Sequence, residues 1–250
     1  MRLIGLILLF VVALVLSLLF VTPLTRVQPW FPEIVRNGER FTGTVSRGAV
    51  YDLNTVNGMV DADWVLRPSA LLRAALGADV DFVWDDAFEG EARVEVGVNQ
   101  VVHMRDVLVA GPANQLDKVV LPGILRFDGD LRLDIRQAAV AEGQYGPVEG
   151  TVEWKQATIT GQIAVSFGDL TLTLREQDGE THGDIRNDGG DVSLSGTVVL
   201  NPDGAYQTDI VAVPAPSAER GVVFTLETLG TPESGNRFRI RESGNLTDLR

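Results

Sequence analysis

The sequence contains no cysteine and only two histidines among its 250 residues. The absence of cysteine excludes disulfide bonds, thiolate nucleophiles, cysteine-ligated zinc and iron–sulfur clusters. Neither His103 nor His182 lies in a motif that would make its imidazole a base for an activated hydroxyl. We therefore predict a protein that is not an enzyme, with no catalytic residues, no metal site and no cofactor.

Positive charge is also scarce. The chain has 21 lysines and arginines against 34 aspartates and glutamates, which gives a net charge of −13 at pH 7. A surface of this sign repels the phosphate backbone of nucleic acids. Nucleic acid is therefore not an expected partner.

Two acidic motifs could bind a cation or move a proton, but their contexts argue against both functions. Residues 184–189 have part of the spacing of a calcium loop, yet Arg186 occupies the third position, where an oxygen ligand is needed. The adjacent carboxylates of Asp85 and Asp86 could raise each other's pKa values. On an acidic surface a solvated loop is the simpler interpretation of that pair. We predict a turn at residues 184–189 and a loop at Asp85 and Asp86.

A long apolar run stands near the start of the chain. Residues 3–24 carry no charge, and 17 of these 22 residues are Leu, Ile, Val or Phe. A helix of this length covers roughly 33 Å, enough to cross a hydrocarbon core of about 30 Å. A cleaved signal peptide is the alternative, but its apolar part usually has about 7 to 15 residues and precedes an Ala-x-Ala-like site. We predict a retained transmembrane anchor over residues 1–25.

The rest of the chain is predicted to form a linker over residues 26–40 and a β domain over residues 41–250. Arg2 precedes the anchor, whereas Arg26, Arg36 and Arg40 follow it. The positive-inside rule alone would therefore favour a cytoplasmic domain, but long domains cross membranes largely regardless of flanking charge. The charges leave the orientation open.

Apolar and polar residues alternate along most of the predicted domain, most clearly in the runs that follow Gly129 and Gly168. Successive side chains of a strand point to opposite faces, so this alternation predicts strands with one apolar and one polar face. Such strands are typical of antiparallel sheets. The apolar face predicted in this way includes Leu131, Leu133, Ile135, Leu170, Leu172, Leu174, Val192, Leu194 and Val198.

The predicted fold class is mainly β: a twisted, half-open antiparallel sheet in which these residues line an apolar groove. The alternative is a β-sandwich, in which they would pack against a second sheet. Turn residues at 177–180, 187–190 and 201–204 indicate hairpins between neighbouring strands. The glycine before each strand is interpreted as hairpin punctuation in preference to a kink that bends the sheet.

Short helices are predicted at one or two places. Residues 69–76 begin at Ser69, a favourable capping residue, and are followed by Gly77. Residues 113–120 are bounded by Pro112 and Pro122, although Val119 and Val120 could equally begin a strand.

Besides the anchor and the run after Gly129, three motifs follow one another along the chain: Trp64-x-x-x-Pro68, Gly150-x-x-x-Trp154-x-x-Ala157 and Leu229-Gly-x-Pro232. In this order the features resemble protein N of the bacterial type II (general) secretion pathway. The resemblance implies an inner-membrane protein of Gram-negative bacteria, with one transmembrane helix and a periplasmic β domain that assists export of folded proteins across the outer membrane. It implies no catalytic residues.

Two functions remain open from the sequence. In the first, the β domain is a non-catalytic component of the secretion system and contacts other subunits of the inner-membrane platform through strand edges or loops. In the second, the domain handles or transfers lipid, because an apolar sheet that curls into an open groove could shield acyl chains from water. The membrane is a partner in both through the anchor, and lipid would be a further partner in the second.

Overall fold

The structure is a computed structural model that describes residues 22–27, 40–55, 58–118, 125–141, 144–161 and 163–246. Strands make up most of these residues, so the predicted mainly β class is confirmed. The chain divides into two compact units, residues 1–95 and 96–250. The predicted boundaries of anchor, linker and β domain stay a prediction.

The first unit is an antiparallel sheet with the strand order β1-β2-β3-β4-β5. Its face that carries Trp64 and Phe82 is apolar, whereas Asp63 and Asp81 lie opposite each other on the other face. The strands are β1 (Arg40–Gly43), β2 (Arg47–Thr55), β3 (Gly58–Leu66), β4 (Ala75–Trp84) and β5 (Phe88–Gly97), whose last two residues belong to the second unit.

The end of the predicted transmembrane run lies in the first unit. Leu24 begins a one-turn helix, Leu24–Val27, and its side chain is fully buried. The backbone carbonyl of Thr22 accepts a hydrogen bond of 3.2 Å from the backbone N–H of Val45. The preceding residues of the predicted span, 3–21, lie outside the described residues. Where the structure describes the chain, no helix is long and apolar enough to cross a bilayer.

The second unit is also a single antiparallel sheet, with the order β6-β7-β9-β10-β11-β12-β13-β15-β14 and with β8 paired to β7. Within the described part of this unit, β6 does not pair with β14, so the sheet is not closed. The strands are β6 (Val102–Pro112), β7 (Arg126–Ala141), β8 (Gln144–Tyr145), β9 (Glu149–Thr160), β10 (Ala164–Gln177), β11 (Glu180–Asp188), β12 (Val192–Leu200), β13 (Ala205–Pro214), β14 (Thr231–Glu233) and β15 (Arg237–Asn245).

The predicted hairpins connect β10 to β11, β11 to β12 and β12 to β13. In the first of them Gln177 pairs with Glu180, and the two central residues, Asp178 and Gly179, have φ angles of 55° and 84°. Two positive φ angles are the signature of a type I′ turn, whose twist matches that of the flanking strands.

The interpretation of the strand-leading glycines as turn punctuation is wrong at Gly129 and Gly168. Both lie inside long strands, β7 and β10, with φ angles of 106° and 66°. The pairing register shifts at both positions, which marks β-bulges. Glycine is favoured there because a side chain rarely adopts a positive φ, and such bulges bend and twist the strands.

Both predicted helical segments overlap a 3₁₀ helix, Pro68–Arg73 in the first and Ala113–Lys118 in the second, and Val119 and Val120 of the second prediction lie outside the described residues. Ser69 is not the cap of the first one, because Arg67 holds that position, and Ala74, in the left-handed conformation, ends it before Gly77. Leu76 belongs to β4. The chain returns to extended structure there because β3 and β4 pair as neighbours.

A third helix, Arg220–Leu229, was not predicted from the sequence. Its buried residues Val222 and Leu226 pack with Val192, Ala212 and Phe238 in the hydrophobic core of the second unit. Val222, Leu226 and Leu229 follow the i, i+4, i+7 spacing of an amphipathic helix, which is the signal that could have revealed it. We call it the C-terminal helix.

Candidate functional site

The register of the second unit aligns apolar side chains from neighbouring strands into rows. Leu133 of β7 lies opposite Val109 of β6 on one side and Val152 of β9 on the other. The same alignment continues through β10 to β15, because each strand is paired in the register that keeps its apolar residues on one face. This central row consists of Val109, Leu133, Val152, Leu172, Ile185, Gly196, Ile210 and Ile240.

A further row lies on each side of the central one, and the three rows together are called the apolar face. The upper row runs through Gly111, Leu131, Trp154, Leu170, Asn187, Leu194, Ala212 and Phe238. The lower row runs through Val107, Ile135, Gly150, Leu174, Gly183, Val198, Thr208 and, on β15, Glu242. Asn187 and Thr208 are the polar uncharged members, and the only charged residue in the described rows is the exposed Glu242 at the β15 end of the lower row.

The opposite face of the same strands is polar. Between the central and lower rows, the residues that point the other way are Leu108, Asp134, Thr151, Thr173, Asp184, Thr197, Asp209 and Arg241, and all of them except Leu108 of β6 are polar. The two faces therefore differ sharply in their affinity for water, as the sequence alternation predicts.

Eight of the nine residues predicted for the apolar groove belong to the three rows, and Val192 lies on the same side of β12 beyond the upper row. The nine residues are not equally accessible. Leu131, Leu133, Leu170, Leu172, Leu174 and Val198 are half-buried. Ile135 is 8% exposed, and Val192 is completely buried in the core beneath the C-terminal helix. Leu194 packs against that core. The accessible part of the predicted set therefore comprises the six half-buried residues, and whether it is a binding groove stays a prediction.

The half-burial of the leucines comes partly from their neighbours in the same layer. A Cβ atom added to Gly183 would lie 2.8 Å from Cδ1 of Leu172 and 3.1 Å from Cδ2 of Leu174. The two leucine side chains therefore occupy the space that a side chain at position 183 would fill. Among the described residues of the unit, no second sheet covers the outer sides of the leucines.

One end of the apolar face is covered by the C-terminal helix. Val222 is 2% exposed and Leu226 is 6% exposed, and both pack against the side of the sheet that carries Val192 and Phe238. The outer side of the helix carries Phe224, which is 70% exposed. The helix thus closes this end with its apolar side inward.

The other end is crossed by the segment of residues 144–148. The backbone N–H of Tyr145 donates to the carbonyl of Pro202, 2.8 Å away in the turn between β12 and β13. The backbone N–H of Val148 donates to Oγ1 of Thr181 at 2.9 Å. Thr181 and Gly183 are two residues apart on β11, so both face the apolar side of the sheet. The segment that binds Thr181 therefore lies on that side. The uncovered part of the face lies between this segment and the C-terminal helix.

Asn187 is the polar member of the upper row, and its side chain is fully hydrogen-bonded. Its Nδ2 donates to the carbonyls of Phe167 at 2.6 Å, Val192 at 2.7 Å and Gly189 at 3.2 Å. Its Oδ1 accepts from the backbone N–H of Leu194 at 2.6 Å. The amide therefore ties β10, β11 and β12 together and leaves no unmet hydrogen-bonding group for a ligand.

The clearest electrostatic cluster lies on the polar face. Nε and Nη2 of Arg239 donate to the two carboxylate oxygens of Asp209, each at 2.6 Å, and Nε of Arg241 donates to Oδ2 at 3.2 Å. These hydrogen bonds, chiefly those from Arg239, lower the pKa of Asp209 to about 2. The same pair raises the pKa of Arg239. The cluster joins β13 to β15 and has the geometry of a structural ion pair.

The remaining candidates for chemistry are separated from one another. His103 is exposed on β6, and Nε2 of His182 on β11 lies 3.4 Å from Oε2 of Glu180. Asp85 and Asp86 form the turn between β4 and β5, as predicted, and Oδ1 of Asp85 accepts a hydrogen bond from the backbone N–H of Met59. In the part of the chain that the structure describes, no group of three His, Asp or Glu residues could hold a metal ion.

The predicted turn at residues 184–189 is mostly wrong. Asp184 to Asp188 belong to β11, and the turn begins only at Gly189. The segment is extended because it pairs on both sides, with β10 and with β12.

Fold and face together define a class of protein: an antiparallel β domain with an open sheet, of which one side is apolar and the other polar. Residues 39–241 match the family model of type II secretion system protein N. This match covers most of the chain, so the protein belongs to that family, and the predicted resemblance is confirmed.

Two relatives carry the same name. The chain is 28% identical over 248 residues to type II secretion system protein N of Aeromonas hydrophila, and the match covers 95% of this chain and 96% of the relative. It is 26% identical over 191 residues to the protein of that name from Vibrio cholerae, with 74% of this chain and 75% of the relative covered. No solved structure matches the chain. The family places this protein among the components of the type II secretion system.

Proposed function

We propose that this protein is a non-catalytic component of the type II secretion system, anchored in the inner membrane by its N-terminal segment. Its β domain lies in the periplasm and supports export of folded proteins across the outer membrane through contacts with other subunits of the inner-membrane platform. The observation that carries this proposal is the family match over residues 39–241.

The second unit offers a strand edge for such contacts. β15 pairs with β13 along Phe238 to Asn245, but β14 pairs only with Arg237 to Arg239 on the other side. Among the described strands, none pairs with the outer edge of residues 240–244. An exposed edge presents backbone groups to which a partner can add a strand, so residues 240–244 are the preferred contact site.

The proposal is tested in the bacterium that carries this gene. Deletion of the gene is expected to retain secreted enzymes in the periplasm, and the full-length gene is expected to restore their export. A photo-crosslinking amino acid at Ser243, on the open edge, is expected to capture another secretion subunit. The matched control is Ser193, which is also exposed and also points to the polar face, but lies on the interior strand β12. Normal export after deletion, together with no crosslink at Ser243, would refute the proposal.

A second candidate function is favoured by the uncovered part of the apolar face. Six leucine and valine side chains of the predicted groove are only half-buried, and in the part of the unit that the structure describes no second sheet covers them. Monomeric soluble proteins rarely expose large contiguous apolar patches, and those that do use them for binding. In this function the β domain shields lipid from water, as a handling or transfer module, and it could do so within the secretion system.

A further inference from the structure

We infer that the apolar face holds one acyl chain of a phospholipid, laid across β7 to β13 between the C-terminal helix and residues 144–148. This inference rests on the second candidate function and names its ligand. The chain would lie against Leu133, Leu172 and Ile210, with the head group outside the face.

Hydrogen bonding decides between an acyl chain and a peptide. The backbone groups beneath the face are paired within the sheet, and the side-chain amide of Asn187 is satisfied by four protein partners. A peptide backbone laid on this surface would give up its hydrogen bonds to water without finding new ones, which is unfavourable. A hydrocarbon chain has no hydrogen-bonding groups and carries no such penalty.

Charge decides between a phospholipid and a free fatty acid. The three rows contain no lysine or arginine that could hold a carboxylate, and the whole chain has a net charge of −13. A fatty-acid anion would therefore be repelled by the protein and unpaired at the site. The acyl chain of a zwitterionic phospholipid brings no net charge to the face.

The apolar face is long enough to hold an extended acyl chain. Six strands, β7 and β9 to β13, cross the central row, and a strand spacing of about 4.8 Å makes the row about 24 Å long. The three rows span Leu131 to Ile135, which is about 14 Å at about 3.4 Å per residue. A bilayer core of about 30 Å contains two leaflets, so one acyl chain extends roughly 15 Å.

The inference is tested with the full chain in nanodiscs of phosphatidylcholine that contain a trace of phosphatidylcholine with a diazirine on its acyl chain. After irradiation, mass spectrometry locates the label along the protein. We expect labelled residues in β7 and β10 to alternate, with Leu133 and Leu172 labelled and their neighbours on the polar face unlabelled. This pattern is measured on the unaltered protein and does not depend on the folding of a variant.

A matched pair of variants locates the site further. Leu172→Glu places a charge in the centre of the face and is expected to reduce labelling of β7 to β13 at least tenfold, with labelling of residues 1–25 unchanged. Thr173→Glu places the same charge on the polar face of the same strand. Labelling of β7 to β13 in this variant is expected to equal that in the unaltered protein. Circular dichroism of both variants checks that the sheet is retained.

Four outcomes would overturn the inference: label confined to residues 1–25, equal labelling of both faces, stronger labelling by a diazirine-bearing palmitate than by the phospholipid, or a second copy crosslinked at Leu172. Export is measured separately. If the phospholipid does not label the face but deletion of the gene still blocks export, the lipid inference fails and the secretion proposal stands.

Discussion

Replacing Asn187 with leucine tests whether one side chain holds three strands together at the covered end of the apolar face. Leucine has a similar size and suits the apolar row, so the substitution removes hydrogen bonds with little change in packing. It deletes four bonds, of which three, to Phe167, Val192 and Leu194, lie in partly buried surroundings. The fourth, to Gly189, is exposed.

The magnitude follows from these contacts. Each partly buried bond contributes about 1 kcal/mol net, so the three together stabilise the β10–β12 region by about 3 kcal/mol. A change of about 1.4 kcal/mol corresponds to a factor of ten in an equilibrium constant. We therefore expect the local opening equilibrium to rise by about two orders of magnitude in Asn187→Leu.

Hydrogen exchange measured by mass spectrometry reports this opening. Peptides that contain the backbone N–H of Leu194 should exchange about 100-fold faster in the variant, because the opening free energy is lowered by about 3 kcal/mol. Asn99→Leu is the matched control, since Oδ1 of Asn99 makes one exposed bond of 3.3 Å to the backbone N–H of Val101. The control should change exchange little. Exchange within about threefold of the unaltered protein in Asn187→Leu would refute the reasoning.

Two further predictions concern the ion pair and the core. Because hydrogen bonds from Arg239 lower the pKa of Asp209 to about 2, the folded state gains stability above the ordinary aspartate pKa and loses it as the pH falls toward 2. Thermal unfolding of Asp209→Asn should therefore show a weaker loss of stability between pH 5 and pH 2 than the unaltered protein, and an equal loss would contradict the assignment. Val222 is 2% exposed, so Val222→Ala should lower the free energy of unfolding, measured in urea, by about 2 kcal/mol. Phe224 is 70% exposed, so Phe224→Ser should change that free energy by less than about 0.5 kcal/mol. Similar losses in the two variants would contradict the placement of the helix.

The alternation of the sequence predicted which residues share a face. Leu131, Leu133 and Ile135 lie on one side of β7, and Leu170 and Leu172 lie on the same side of β10. This prediction succeeds because side-chain direction in a strand is a local property with a period of two residues. The hairpin at residues 177–180 was equally predictable, because its turn depends on two adjacent residues that tolerate positive φ.

The C-terminal helix was missed because its stability comes from packing rather than from local signals. It has no side-chain hydrogen bond at its N-cap and no acidic residue in its first turn. Val222 and Leu226 are held by Val192 and Phe238, which are far away in the sequence. A helix of ten residues is marginal by itself, so its tertiary contacts decide whether it forms.

By itself, the sequence determined the strand content, the two unlike faces, most of the hairpins and the family to which the protein belongs, because each of these depends on short-range spacing or on a recognisable order of motifs. Only the tertiary structure decided which part of the apolar face is accessible. Val192 is fully buried whereas Leu172 is half-buried, although the same alternation predicted both for one groove. The difference arises from the C-terminal helix at one end and from residues 144–148 at the other, and coverage by segments so distant along the chain leaves no trace in local periodicity.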